Sequence, residues 1–168
     1  MEFGRLPESQ LNNIDFALPK EPSFNKHILP GKTSAKAKVY VGCAKWGRKE
    51  WVGKIYPTGT PEKDFLKLYV DHFNSIELNA TGYKTPSPQQ VKTWGERASK
   101  KEFLFCPKLV RFIIPTVKVD GQQESIHQFL ESIKGVGENL GPVFQLLQEN
   151  FSPAKAKLLY QFLNDFPK

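Results

Sequence analysis

The sequence predicts an α/β protein in which parallel strands alternate with helices. Three observations support this: strand-like and helix-like segments alternate four times, the strands are short and mostly apolar, and three of the four helices begin with Ser-Pro or Thr-Pro. Continuously apolar strands are typical of parallel sheets that helices cover. Right-handed crossovers would then bring the carboxyl ends of all four strands to one edge of the sheet.

The individual elements follow from periodicity and capping residues. The predicted strands cover residues 39–44, 75–79, 103–106 and 143–147, and we expect the first to be buried. The predicted helices begin at Thr60-Pro61, Ser87-Pro88, Ser125 and Ser152-Pro153, and each carries apolar residues at helical spacing. Gln90 lies three residues after Ser87, which predicts a capping box.

Residues 1–38 differ from the rest because they contain scattered prolines and sustain neither a helical nor a strand period. We therefore predict an extended arm and linker over residues 1–38. Residues 39–168 would form the amino-terminal half of a barrel-like domain, and the 168-residue chain is long enough for a substantial core.

Charge and cysteine usage limit the partners and the location. The net charge of +7 favours an anionic partner, either a small molecule or a nucleic acid, although scattered lysines equally fit a role in solubility. No apolar run is long enough for a membrane, and the amino terminus does not resemble a signal peptide. Cys43 and Cys106 have no CxxC or Cys/His spacing, which predicts reduced thiols in a cytoplasmic protein.

Polar side chains at the predicted strand ends are the candidate site. Glu77 is a candidate general base or metal ligand, and Lys108 is the second candidate catalytic residue. Lys45 and Lys108 would bind a phosphate or carboxylate as point charges. The remaining ligand-binding candidates are Trp46, Asn79, Thr81, Tyr83 and Gln145.

Each of these assignments has a simpler alternative. Glu77 would form a buried salt bridge with Lys45 or Lys108, and Trp46 and Tyr83 would pack at the rim instead of stacking on a ligand ring. The two cysteines would be small packing residues. One carboxylate without a histidine at the strand ends does not make a metal site, and the sequence leaves the question of a cofactor open.

Several motifs together resemble a known family. They are Val41-Gly42-Cys43-Ala44-Lys45-Trp46, Tyr56-Pro57, His72-Phe73-Asn74, Glu77-Leu78-Asn79-Ala80-Thr81, Tyr83, Trp94, Lys108 and the stretch Gly137 to Pro142. The pattern is similar to the domain-of-unknown-function-72 family, also called YecE-like. The resemblance implies a TIM-barrel-like fold in a family whose members are much longer. Four units are half of an eight-unit barrel of roughly 250 residues, so the resemblance implies a truncated or split member.

Two positions depart from the family pattern. Ile113-Ile114-Pro115 stands where the family usually has a polar Ser/Thr-His pair, so a site histidine implied by the resemblance is absent. Gln145 lies one position early in the fourth strand. A one-residue shift turns a strand side chain to the opposite face, so either a bulge restores Gln145 to the cavity or the position is lost.

The family resemblance implies no reaction, and two function classes follow. The first is a site for a phosphate- or sugar-containing ligand, including a nucleotide or nucleic acid, at the carboxyl ends of the strands. The alternative is a truncated, non-catalytic paralogue or fragment that acts only in binding or assembly. A half-barrel exposes two sheet edges, which predicts self-association.

Overall fold

The computed structural model describes residues 7–15, 17, 20–28, 38–98, 102–115, 121–149 and 151–167. The chain divides into two units, Met1–Lys38 and Val39–Lys168. In the first unit, the described elements are a 3₁₀ helix at Glu8–Asn13 and a short helix α1 at Asn25–Ile28. Most of the predicted linker, residues 32–37, lies outside the described residues.

The second unit contains a parallel sheet with one helix after each strand. Its strands are β1 at Gly42–Cys43, β2 at Ser75–Leu78 and β3 at Leu104–Pro107, in the order β1-β2-β3. The helices are α2 at Phe65–His72, α3 at Pro88–Ala98, α4 at Gln122–Ile133 and α5 at Ala156–Asp165. Parallel pairing of β1 with β2 and of β2 with β3 confirms the predicted α/β class and corresponds to part of a barrel.

The helix starts follow the sequence signals with small shifts. The Ser87 hydroxyl accepts a hydrogen bond from the Gln90 backbone N–H at 3.2 Å, as expected for a cap at the start of α3. A 3₁₀ turn at Glu62–Asp64 separates Pro61 from α2, and a second one at Pro153–Lys155 precedes α5. Helix α4 begins at Gln122, three residues before the predicted start. None of the helices in the described residues has the length and apolar character that a membrane crossing needs.

Two apolar clusters form the core of this unit. Ile76 and Leu78 alternate with Glu77 along β2, and they are buried in one cluster with Phe105 and with side chains of α2 and α3. The second cluster joins α4, the loop after β3 and Phe162 of α5. Because side chains alternate across a strand, Glu77 lies on the face of β2 opposite the first cluster, and it is exposed there.

The prediction of a buried strand over residues 39–44 is wrong. Only Gly42–Cys43 forms a strand, while Val39 and Val41 are 71% and 59% exposed. The reason is position, because β1 pairs with β2 alone among the described residues and therefore lies at the margin of the sheet. Asn74 holds the backbone just before β1, because its Oδ1 accepts a hydrogen bond from the Val41 N–H at 2.6 Å.

A regular fourth strand over residues 143–147 is also absent from the described residues. Instead, two isolated parallel bridges join Phe105 to Leu140 and Lys108 to Phe144. The chain advances three residues between the bridges on β3 and four residues on the other side. The extra residue is a bulge, which breaks regular pairing and reverses the alternation of the side chains that follow.

Candidate ligand-binding site

Two cavities lie at the carboxyl ends of the strands. The first, which we call the cationic cavity, has a volume of about 400 Å³ and is lined by side chains that include Lys108, Arg111, Gln145 and Glu149. The second, which we call the aromatic cavity, has a volume of about 300 Å³, and its wall includes Lys45, Trp46, Asn79 and Tyr83. Both volumes fall within the range of roughly 300–1,000 Å³ that is usual for ligand pockets.

Thr81 fixes the backbone of the cationic cavity instead of lining either cavity. Its side chain is fully buried, and its hydroxyl accepts a hydrogen bond from the Lys108 N–H at 3.0 Å. The same hydroxyl oxygen lies 2.8 Å from the Leu78 carbonyl oxygen and 2.7 Å from that of Lys108. Thr81 therefore ties the ends of β2 and β3 together and positions Lys108.

The side chain of Lys108 is held on the cavity wall by three contacts. Its Nζ donates a hydrogen bond to Asn79 Oδ1 at 3.2 Å and lies 5.8 Å from the ring centroid of Phe144. Its methylene chain passes close to Gly82, where an added Cβ would lie 2.9 Å from Lys108 Cδ. Gly82 thus leaves the space that the lysine stem occupies. The predicted proximity of Asn79 and Lys108 is present in the structure.

Arg111 lines the cationic cavity and was not among the candidates predicted from the sequence. Its guanidinium carbon lies 5.6 Å from the ring centroid of Tyr83, and its backbone N–H donates to the Gly82 carbonyl at 2.9 Å. The sequence contained a signal, because Arg111 lies three residues after Lys108 in the loop that follows β3. Within the described part of the chain, neither cation forms an ion pair with a carboxylate, although Glu149 lines the same cavity.

Gln145 lines the cationic cavity, so the bulge places it there despite its shifted position. Its Nε2 donates to the Leu146 carbonyl at 3.0 Å, whereas its Oε1 is buried and has no hydrogen-bond partner. A buried acceptor without a donor costs free energy, roughly 1–3 kcal/mol. Because this oxygen is closed to solvent, a ligand hydroxyl or amine would satisfy it only after the amide rotates toward the cavity.

Glu77 lines neither cavity. It is exposed on β2, its partner in the parallel register is Cys106, and among the described residues it forms no ion pair with Lys45 or Lys108. The salt-bridge alternative is therefore not present in this structure. Its role as a general base stays a prediction, and the residues that the structure describes contain no group of three potential metal-binding side chains.

Lys45 and Trp46 follow β1 and form one wall of the aromatic cavity. The Trp46 ring also packs edge-to-face against Trp94, with centroids 5.6 Å apart, and the Tyr56 hydroxyl donates to the Trp46 carbonyl at 2.8 Å. Trp46 is therefore both a packing residue and a cavity residue. Its fixed position is what a stacking platform requires.

The remaining candidate residues have packing roles. Ile113, which stands in place of the polar pair implied by the family resemblance, is fully buried in the second apolar cluster, and Ile114 presents an apolar side chain to the cationic cavity. Cys43 and Cys106 are free thiols, and burial raises the pKa of Cys106. A raised thiol pKa disfavours the thiolate, which is the nucleophilic form.

Comparison with known proteins links this arrangement to one family. The model of "Protein of unknown function DUF72" matches residues 40–168. The UPF0759 protein YecE of Escherichia coli K12 is 27% identical over 129 residues, which are 77% of this chain and 44% of the relative, and YecE of strain O157:H7 matches equally. The chain thus spans less than half the length of the curated relatives that it matches.

Solved structures agree on the fold. A DUF72 family protein from Enterococcus faecalis V583, determined at 3.10 Å, has a TM-score of 0.54 at 21% identity, covering 74% of this chain and 46% of that one. A 2.52 Å structure from the same organism has a TM-score of 0.50 at 22% identity, covering 64% and 47%. With the match of the family model over residues 40–168, the sequence motifs and the parallel sheet lead to one assignment: the chain belongs to the DUF72 family.

Proposed function

We propose that the carboxyl edge of the sheet binds a phosphate- or sugar-containing ligand. The observation that carries the proposal is the pair of cations in the cationic cavity. Lys108 is half-buried and held by Asn79, so its charge is positioned before a ligand arrives, and the exposed Arg111, which lies over the Tyr83 ring, adds a second charge. Positioned cations lose less side-chain entropy on binding an anion than mobile surface lysines do.

The polar groups beside the cations favour a ligand with hydroxyl groups. Gln145 lines the same cavity, and rotation of its amide would turn the buried, unpartnered Oε1 toward a ligand. A sugar phosphate supplies both partners, since its phosphate accepts hydrogen bonds from Lys108 and Arg111 while a hydroxyl donates to Gln145. Glu77 stays a candidate general base for a ligand that reaches across the open face of β2.

Calorimetric titration with ribose 5-phosphate and with inorganic phosphate tests this proposal. We expect Lys108→Met to weaken binding of both by roughly tenfold or more, because a charged hydrogen bond is lost. Lys67→Met is the matched control, since Lys67 is exposed on α2 and lines neither cavity. Equal affinity in the wild type and in both variants would contradict the proposal, as would an absence of binding in the wild type.

The second candidate function is that of a non-catalytic assembly module. It is favoured by exposed apolar side chains at two margins of the unit, namely Val39, Tyr40 and Val41 beside the edge strand β1, and Leu158, Tyr160 and Leu163 on helix α5. Unpaired strand edges and exposed apolar side chains favour association. In this case a second copy of the chain would cover both margins, and sedimentation velocity over a concentration series measures it.

We also propose a cytoplasmic location. Cys43 and Cys106 are both free and each is only half-buried, a state that a reducing compartment maintains. Fluorescence microscopy of the tagged protein tests this location, and a signal at the cell envelope would contradict it.

A further inference from the structure

The cationic and aromatic cavities are neighbours. Tyr83 lines both of them, and its side chain, which is 69% exposed, forms part of the wall that they share. Asn79 belongs to the aromatic cavity, yet its Oδ1 accepts the hydrogen bond from Lys108 of the cationic cavity at 3.2 Å. The two cavities therefore share one wall, and a hydrogen bond joins a residue of one to a residue of the other.

The two cavities differ in chemistry. The aromatic cavity is bounded by the Trp46 ring and by the apolar residues Ile76 and Leu78, which suits a flat ring. The cationic cavity offers Lys108 and Arg111 to an anion, and Gln145 on its wall can present Oε1 to a hydroxyl group once its amide rotates toward the cavity. A ligand that satisfies both has a planar ring at one end and a phosphate at the other.

We propose that one molecule of the nucleoside monophosphate class spans both cavities. Its base lies against Trp46 and Tyr83, its phosphate binds Lys108 and Arg111, and a sugar hydroxyl donates to Gln145 Oε1. This inference rests on the proposed phosphate site and specifies the ligand class. The sugar joins the base to the phosphate, and it would lie beside Tyr83, the residue that lines both cavities.

Other ligands leave part of the site unused. A sugar phosphate occupies only the cationic cavity, and an uncharged aromatic compound leaves both cations without an anion. A longer nucleic acid needs a continuous basic track. Glu77, which is exposed on β2, repels further phosphates, whereas Glu149 lines the cationic cavity itself and its repulsion of the bound phosphate is opposed there by Lys108 and Arg111.

The test compares four probes by calorimetric titration: inorganic phosphate, ribose 5-phosphate, adenosine and adenosine monophosphate. We expect adenosine monophosphate to bind roughly tenfold tighter than ribose 5-phosphate, because stacking of the base adds to the phosphate contacts. Trp46→Leu should reduce this advantage and leave the affinity for ribose 5-phosphate unchanged. Tyr83→Leu should also weaken ribose 5-phosphate, because the Tyr83 ring contacts Arg111, and should still reduce the ratio of the two affinities. The matched control Lys67→Met should change none of the affinities.

The outcomes separate this inference from the proposed phosphate site. Equal affinity for ribose 5-phosphate and adenosine monophosphate overturns the nucleotide inference and leaves the phosphate site standing. No binding of any phosphate compound overturns both. Tighter binding of an oligonucleotide than of the monophosphate, with a steep salt dependence, overturns the inference in favour of nucleic acid. Tyr83→Leu keeps the ring contact testable if Trp46→Leu unfolds, because Tyr83 is exposed whereas Trp46 packs against Trp94.

Discussion

The middle of the sheet and its margins differ in how completely the described residues cover them. In the middle, Ile76 of β2 is fully buried and β2 has a paired strand on each side, and Phe105 of β3 is buried where the Leu140 and Phe144 bridges cover that strand. At the margins of the unit, Val41 beside the edge strand β1 and Tyr160 and Leu163 on helix α5 are largely exposed. All of these segments are apolar in sequence. Position within the sheet, and not composition, therefore determines which apolar residues contribute to the core.

The largest expected effect is the difference between a core residue and a margin residue on truncation to alanine. Phe105→Ala should reduce the free energy of unfolding by about 3–5 kcal/mol, because a fully buried ring leaves a cavity. Leu163→Ala, at a side chain that is 56% exposed, should change it by about 0.5 kcal/mol or less. Urea unfolding followed by fluorescence measures both variants. Similar losses would show that the margin is as well packed as the middle.

The second prediction concerns two buried tyrosines of the middle region. Burial raises the pKa of Tyr56 and of Tyr69 to about 12, whereas a tyrosine in the unfolded chain titrates near ~10. Since the unfolded state loses these protons first, stability is fully present below pH ~10 and falls as the pH rises towards ~12. The loss is on the order of 2 kcal/mol per tyrosine.

Melting temperatures between pH 9 and 12 test this prediction. Tyr69→Phe should have a smaller alkaline loss than the wild type, although its stability at neutral pH is lower. The neutral-pH cost arises because the Tyr69 hydroxyl accepts from the Cys43 N–H at 2.6 Å and donates to the Ser75 carbonyl at 3.0 Å. The control is Tyr160→Phe at the exposed margin. An alkaline loss that is the same in wild type and Tyr69→Phe would contradict the assignment.

The same contrast explains how much of the fold the sequence could predict. The alternation of Ile76, Glu77 and Leu78 predicted β2 and its two faces, because both neighbours of this strand are within the chain. The equally apolar Val39–Val41 was predicted to be buried and is exposed, because burial depends on a neighbour that the local sequence does not contain. Helix starts were predictable where a side chain caps the helix directly, as Ser87 does in α3.

The two cavities lie at the sheet edge where the sequence placed the candidate site, and the residues that line them coincide only in part with the predicted candidates. Alignment of strand ends brought Lys108, Asn79 and Tyr83 together as expected, because parallel topology alone requires it. Thr81 was predicted as a ligand-binding residue but bonds to backbone, since its direction depends on the 3₁₀ turn at Asn79–Gly82. The position of Gln145 depended on a bulge. A bulge is defined by the register between two paired segments, so the sequence of one segment does not predict it.

The third prediction concerns association through the margins. If a second copy covers them, Val41→Lys combined with Tyr160→Lys should weaken the dimer by roughly tenfold or more, because each substitution places a charge in an apolar contact. Phe112→Lys is the matched control, since Phe112 is also exposed and apolar but lies in the loop after β3. Sedimentation velocity measures the three proteins. A wild type that stays monomeric at every concentration would contradict association.

The smallest expected effect compares two glycines at strand ends. An added Cβ at Gly82 would lie 2.9 Å from Lys108 Cδ, whereas an added Cβ at Gly47, which follows β1 at the margin, meets nothing within 4 Å. Gly82→Ala should therefore displace the lysine stem, lengthen its hydrogen bond to Asn79 and weaken binding of inorganic phosphate by roughly two- to fivefold, a fraction of one charged hydrogen bond. Gly47→Ala should leave phosphate affinity unchanged.

Because the displaced contact is a flexible side chain, both variants should keep the wild-type melting temperature within about 2–4 °C. A loss of phosphate affinity in Gly47→Ala equal to that in Gly82→Ala would show that Lys108 is not held in place by the space at Gly82.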